Sequence, residues 1–403
     1  MIPPHAILSA AAFVLAFGNT LSFHATPFYA FDHLAGDARL MGTFGAVQAI
    51  FYAVTSLLSA RIVTRFKHGL NLALIGTTIF AISYGAVPFL TTPWICVLSS
   101  SVGLLGMALT WPAIHSWVGA EPNPVERARN MSWINMSWSS GAAISPLFAG
   151  PMYDYDFRMP FLGSVVMCAV VLVLVRIMPH ENAHFGATSQ DVIDARAEHD
   201  RAAVIFLWPA WISVFVFNAL GGALKYIFPK RIDELVQSQG LRWLFESEPM
   251  AFLTHNPATI FSLLAFAFSL ATALAFFIMG KTRRWKHRFA TVFWPQVIAM
   301  AGLLVLGTTS SLLLMTLAFA AVGAGLGVCF FNSSYYSLSD PALKHRRSAI
   351  TEGMVGGGSL LGTFAFGQLA MLGTTMPFFF APLGIAALVA VQFGALRRAR
   401  RAG

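Results

Sequence analysis

Charged side chains are what this sequence has least of. Lys, Arg, Asp and Glu make up 11% of its 403 residues, against about 25% in a soluble domain. So few cannot cover a water-facing surface of this size, which excludes a soluble enzyme or binding module. Cysteine is nearly missing too. Cys96, Cys168 and Cys329 each lie inside an apolar run without a CxxC partner, so there is no disulfide frame and no metal or cofactor site. HExxH, GxSxG, a nucleotide-binding loop and paired carboxylates are all absent, and the chain is not read as an enzyme. No basic residue precedes the first apolar stretch. At Ile7 to Phe31 that stretch is too long for the apolar core of a cleaved leader and reads as a membrane helix. Bases outnumber acids, 26 to 17, for a net charge of +9. The bases fall in short clusters between apolar runs, which argues against nucleic acid as a partner.

What fills the chain is apolar. Hydrophobic residues make up 57% of it, with 36 Phe, and the mean hydropathy is +0.67. A bilayer core takes roughly 20 apolar residues per helix. The runs predict spans at 7–31, 40–63, 69–90, 94–118, 132–153 and 159–178, then at 203–228, 257–279, 288–308, 311–337, 348–372 and 376–396. Twelve spans place every basic cluster on one side: Arg61, Arg65 and Lys67; Arg127 and Arg129; Lys281 to Arg288; Lys344 to Arg347; and Arg397 to Arg401. The opposite loops, such as Thr91-Thr92-Pro93 and Gly373 to Met376, are short and uncharged. The positive-inside rule then puts both termini in the cytoplasm of an inner-membrane protein. Two longer loops remain. His180 to Arg201 is charged, with a surface helix expected from Gln190. Lys230 to Pro257 lies outside and carries the apolar Trp243-Leu244-Phe245.

The two sets of six repeat each other. At an offset of 217, Gly106 meets Gly323, Pro124 Pro341, Arg129 Arg346, Gly141 Gly358, Ser145 Gly362 and Gly150 Gly367. Arg65-Phe66-Lys67-His68 after span 2 recurs as Arg284-Trp285-Lys286-His287 after span 8. Parallel repeats of six are a transporter architecture. On these residues, and on the span 5 segment Gly141 to Gly150, the chain resembles the major facilitator superfamily over nearly its whole length. The resemblance implies an all-α membrane protein whose twelve transmembrane helices form two pseudo-symmetric six-helix bundles. These would be residues 1–178 and 203–403, joined by a cytoplasmic linker at 179–202, with a substrate site at mid-membrane. The loop after span 2 departs from the family pattern, with Ala60 for its Gly and Thr64 for its Asp. The span 5 segment resembles the family's antiporter motif with Ser145 and Ala149 in place of two glycines, which hints at export.

Polar residues within spans are costly in lipid and become functional candidates. Asn19 in span 1 and Asn218 in span 7 sit near mid-span in equivalent helices. Gln48 and Tyr52 lie one turn apart in span 2, and Trp138 and Ser139 sit in span 5. These are the expected substrate-cavity residues, the alternative being side chains that only pack. Trp111 in span 4 could add an aromatic wall, against an anchoring or packing role. Arg65, Arg129, Arg284 and Arg346 are expected gating residues, together with Asn135 and its repeat partner Glu352. Glu352 is the only acid in its span and is placed about one turn inside it, as a gate or a proton carrier. His24 is a further candidate proton carrier, against a packed histidine. Lys225 would attract an anion or snorkel. Spans 1, 4, 7 and 10 have no acid at mid-depth, and span 4 has no Arg. A neutral or amphipathic solute fits that better than a charged one. The function expected is secondary transport of a small organic solute by alternating access, with export favoured. The alternatives are uptake of a neutral sugar-like or nucleoside-like solute, or a membrane scaffold or sensor that transports nothing. The expected partners are that solute, membrane lipid and protons, with the chain a monomer.

Overall fold

A computed structural model describes residues 3–63, 69–119, 124–178, 201–238, 241, 256–282, 284–338 and 344–402. Among these there is no β-strand. The helices are α1 (Pro4–His33), α2 (Ala38–Val63), α3 (Gly69–Ala86), α4 (Pro93–Gly119), α5 (Pro124–Ile144), α6 (Pro146–Tyr155), α7 (Met159–Arg176), α8 (Arg201–Tyr226), α9 (Phe228–Gln237), α10 (Pro257–Lys281), α11 (Ala290–Thr308), α12 (Leu312–Leu338), α13 (Lys344–Ala370) and α14 (Met376–Ala402). They form the twelve spans. The fifth is α5 with α6, and α9 continues from the seventh.

Among the described residues, ten helical segments are long and apolar enough to cross a bilayer. The fifth and eleventh spans are not among them: α5 carries Glu126, Arg127, Arg129 and Asn135, and α13 carries Lys344 to Arg347 and Glu352 and is rich in glycine beyond them. These two spans are repeat partners at the 217 offset. Their basic residues, expected in loops, belong to the first turns of α5 and α13. Glu352 consequently lies about two turns inside its helix, not one.

The chain forms two compact units. One holds Met1–Gly36 and Val47–Thr188, the other Asp37–Ala46 and Ser189–Gly403. In the first unit α1 packs on α5, α6 and α7, and α3 packs on α4 and α7. A Cβ at Gly141 would strike the Phe13 carbonyl, so only glycine lets α5 lie this close to α1. One turn on, Ser145 Oγ donates to the Phe17 carbonyl at 2.7 Å. The next residue, Pro146, has no N–H to continue the helix, and the span breaks into α5 and α6 there.

In the second unit α13 packs on α8, and α12 on α8, α10 and α11. Here a Cβ at Gly358 would strike the Phe215 carbonyl, and one at Gly362 would strike Ala219. Both crossings repeat those at Phe13 and Phe17, displaced by 202 positions in span 7 and by 217 in span 11. The loop between the spans thus differs in length, while the helix crossing is the same. In α2, Gly42 belongs to the second unit, where its backbone lies against Gly367.

The stretch from Lys230, expected as an external loop, begins as helix. In α9, Arg231 is buried and donates to the carbonyls of Leu306, Gly307 and Thr309 at 3.0–3.3 Å. These acceptors end α11, and a guanidinium satisfies carbonyls that a helix end leaves open. Glu234 accepts from Thr374 Oγ1 at 2.6 Å. The expected surface helix from Gln190 and the Trp243-Leu244-Phe245 segment lie outside the described residues.

Candidate functional site

In the first unit the amide candidates of spans 1 and 2 lie in packed interior. Asn19 is 5% exposed, and its Nδ2 points to Met107 Sδ at 2.7 Å. Among the described residues its Oδ1 accepts no hydrogen bond, nor does Ser22 Oγ three residues on find a partner. Thioether sulfur is a weak acceptor, so Asn19 is poorly compensated for its burial. Gln48 is 2% exposed and donates to Tyr84 OH at 3.4 Å. Phe23 closes over the same region, edge-on to Phe80 and Tyr84 at 5.9 and 5.5 Å. Tyr52 is half-buried. His24 Nδ1 donates to the Thr20 carbonyl at 2.9 Å, which fixes the Nδ1–H tautomer and makes Nε2 the site a proton would occupy.

An exposed carboxamide of this unit lies on α5, beside indole rings of α4 and α5. Asn135 is exposed, and its Oδ1 accepts from Trp138 Nε1 at 3.1 Å. Trp138 meets Trp111 edge-on at 6.3 Å. The Asn135 NH₂ group has no partner among the described residues. Ser139 turns its hydroxyl back onto the carbonyls of Asn135 and Met136 at 2.8 and 3.1 Å, so it adds an acceptor and no spare donor. Two indole rings around a carboxamide suit a flat or amphipathic neutral group, which would stack on the rings and accept from the amide. Arg129 is exposed one and a half turns earlier on α5. Arg65 lies outside the described residues.

In the second unit Asn218 is half-buried and donates to Val214 of its own helix at 2.8 Å. The repeated crossings set the register between spans 1 and 7: Ala16 corresponds to Asn218, and Gly221 to Asn19. The two asparagines are therefore offset by about one turn and are not equivalents, because the repeat offset in these helices is 202. Lys225 is half-buried, its ammonium 4.9 Å from the Tyr226 ring.

Glu352 is held by what lies next to it. Thr351 is buried, and its hydroxyl lies 2.9 Å from Ser337 Oγ. Trp211 Nε1 donates to Ser337 at 3.0 Å and to Thr351 at 3.2 Å. This triad joins α8, α12 and α13 and fixes the rotation of α13, leaving Glu352 half-buried beside it. The loop after span 8 is docked on the same end. Trp285 is buried and donates to Met279 and Thr282 carbonyls at 2.9 and 2.7 Å. His287, at φ 55, donates its backbone N–H to Tyr336 OH at 2.9 Å. Arg284 is exposed; the side chain of Arg346 lies outside the described residues.

Sequence reasoning ranked none of Trp211, Trp285, Tyr336 and Thr351, although the repeated Arg-aromatic-Lys-His pattern pointed at one of them. It also passed over a cleft of about 530 Å³ in the first unit, lined by residues that include Asp32, His33, Asp154 and Arg158. There Tyr153 OH donates to Asp32 at 2.7 Å.

A sequence model of the Major Facilitator Superfamily matches residues 8–254. Over 168 residues the chain is 28% identical to Multidrug resistance protein 2 of Bacillus subtilis (strain 168), a match that spans 41% of this chain and 41% of that relative. Its fold is similar to that of the nucleoside transporter NupG, with TM-score 0.69 and 14% identity over 99% of both chains. It is also similar to a POT family transporter solved with 5-aminolevulinic acid, with TM-score 0.74 and 14% identity over 98% of this chain and 96% of that one.

Proposed function

Because the chain belongs to the major facilitator superfamily and is a multi-pass membrane transporter of that type, we propose that it moves a small neutral or amphipathic organic solute by alternating access, with export as its direction. The observation that carries the solute class is the accessible group of Trp111, Asn135 and Trp138, together with the lack of a mid-depth acid in spans 1, 4, 7 and 10. Export is supported by the likeness to Multidrug resistance protein 2 and by the kinked Gly141 to Gly150 segment. In this reading residues 1–178 and 203–403 are the two moving domains, Trp138 and Asn135 touch solute, and Glu352 belongs to a gate. Asn19, Gln48 and Asn218 hold the helices that frame the path. Both termini are cytoplasmic.

The test is a stability screen on the purified chain, since a ligand that binds the folded state raises its apparent Tm, followed by counterflow of each hit in proteoliposomes. Aromatic or amphipathic neutral compounds should stabilise, and Trp138→Ala should abolish both stabilisation and counterflow. Stabilisation by nucleosides or sugars alone would move the reading to uptake. Hits that bind without counterflow would leave a sensor.

A further inference from the structure

One end of the second unit gathers cations that nothing in the described structure neutralises. Lys281 closes α10, Arg284 and Arg288 lie in the turn before α11, and Arg397 and Arg398 lie near the end of α14; all five are exposed. Among the described residues no carboxylate pairs with any of them. The apolar residues beside them bring the segments together. Trp285, Phe289 and Leu396 share one apolar cluster, and Phe289 and Phe393 lie 6.0 Å apart. The Arg397 guanidinium rests over the Phe393 ring at 4.1 Å. Below the cations the surface is apolar at once, with Trp294 57% and Phe393 43% exposed. Deeper still, Gln296 and Gln392 exchange amide hydrogen bonds of 2.8 and 3.2 Å, fully buried, and pin α11 to α14.

A ligand that satisfies this surface needs an anionic head and an apolar body. Guanidinium groups bind phosphate through paired N–H donors, and the rings beneath offer a bed for acyl chains. A free anion would use only the upper half. Basic pockets between membrane helices, on the side where positive loops gather, suit anionic headgroups. The Gln296–Gln392 pair sets the spacing of the helices without any ligand, so little ordering opposes binding. We propose that this end of the second unit, where α11 begins and α14 ends, is a binding site for an anionic phospholipid. The site is independent of the transport reading.

The test uses the full chain purified in neutral detergent. Apparent Tm is followed against added phosphatidylglycerol, phosphatidylcholine with the same acyl chains, and inorganic phosphate. Phosphatidylglycerol alone should raise Tm with saturation. Arg288→Gln, Arg397→Gln and Arg398→Gln together should raise its half-saturating concentration at least about tenfold, while the three corresponding Lys substitutions keep it within about threefold. Equal stabilisation by phosphatidylcholine overturns the site in favour of bulk lipid, and equal stabilisation by phosphate overturns it in favour of a free-anion site. A wild-type response from the triple Gln protein also overturns it. If that protein does not fold, the native chain is tested at 1 M salt, where the screening length falls from about 10 Å to about 3 Å. The half-saturating concentration should then rise at least about tenfold, and an unchanged value overturns the proposal.

Discussion

Thr351 and Glu352 are neighbours with opposite duties. The threonine is enclosed in a triad with Trp211 and Ser337, and the carboxylate beside it is half-buried. Thr351→Val keeps the shape and removes the hydroxyl, which should lower stability by about 1 kcal/mol. Trp211→Phe in that background should add less than it does alone, since both act on one network. Additive losses in thermal unfolding would separate the two side chains. For Glu352 the outcome depends on its role. If it gates, Glu352→Gln removes a charge-assisted contact worth about 1.5–3 kcal/mol. That shifts the balance between access states by roughly tenfold or more, with solute affinity unchanged. If it carries a coupling proton, the variant should lose pH-driven accumulation and keep exchange. Counterflow with and without a pH gradient distinguishes these, and wild-type behaviour in both assays would remove Glu352 from the machinery. At this scale the sequence was only partly legible. It singled out Glu352 because a lone acid in an apolar run is conspicuous. It could not show that Asn19 and Gln48 are enclosed, because their partners, Met107 on α4 and Tyr84 on α3, come from other helices.

The helices themselves were read nearly to the residue where hydropathy alone sets them, as in α10, α11 and α12. They were misread where packing or charge intervenes. Basic residues at the starts of α5 and α13 looked like loop, yet they are helical because the chain stays helical beyond the apolar stretch. The α9 segment looked like loop because its sequence is polar on average; its helix is bought by Arg231 capping the end of α11. The repeat foresaw matching glycines at 141 and 358 but not what they touch. Gly141→Ala and Gly358→Ala would each push a methyl into a carbonyl of the crossing helix, and each should cost about 1–3 kcal/mol. Gly384→Ala, with nothing within 4 Å of the added carbon, should be neutral or gain up to about 1 kcal/mol of helix propensity. Thermal unfolding of the three proteins compares them directly, and equal effects would show that the crossings are looser than their backbones imply.

For the whole molecule, twelve spans require both ends of the chain on one side and the Thr91–Pro93 turn on the other. The three native cysteines are buried, so single introduced cysteines can be labelled without removing them. With the chain in intact cells, an impermeant maleimide should label Thr91→Cys, which is exposed, and should reach Arg398→Cys only after permeabilisation. Labelling of Arg398→Cys in intact cells would reverse the orientation. The all-α, twelve-span architecture was legible at this scale, because the apolar runs that set the spans are written along the chain and do not depend on which side chains meet.

The paired amides of Gln296 and Gln392 also bear on how the protein is made. Span 9 leaves the ribosome well before span 12, so Gln296 first enters the bilayer with half its hydrogen-bonding capacity unmet. Only the arrival of the final helix completes it. A chain stalled or truncated before Gln392 would carry an exposed polar mark in lipid, the kind of mark by which a cell's quality-control machinery can tell an unfinished product from a finished one.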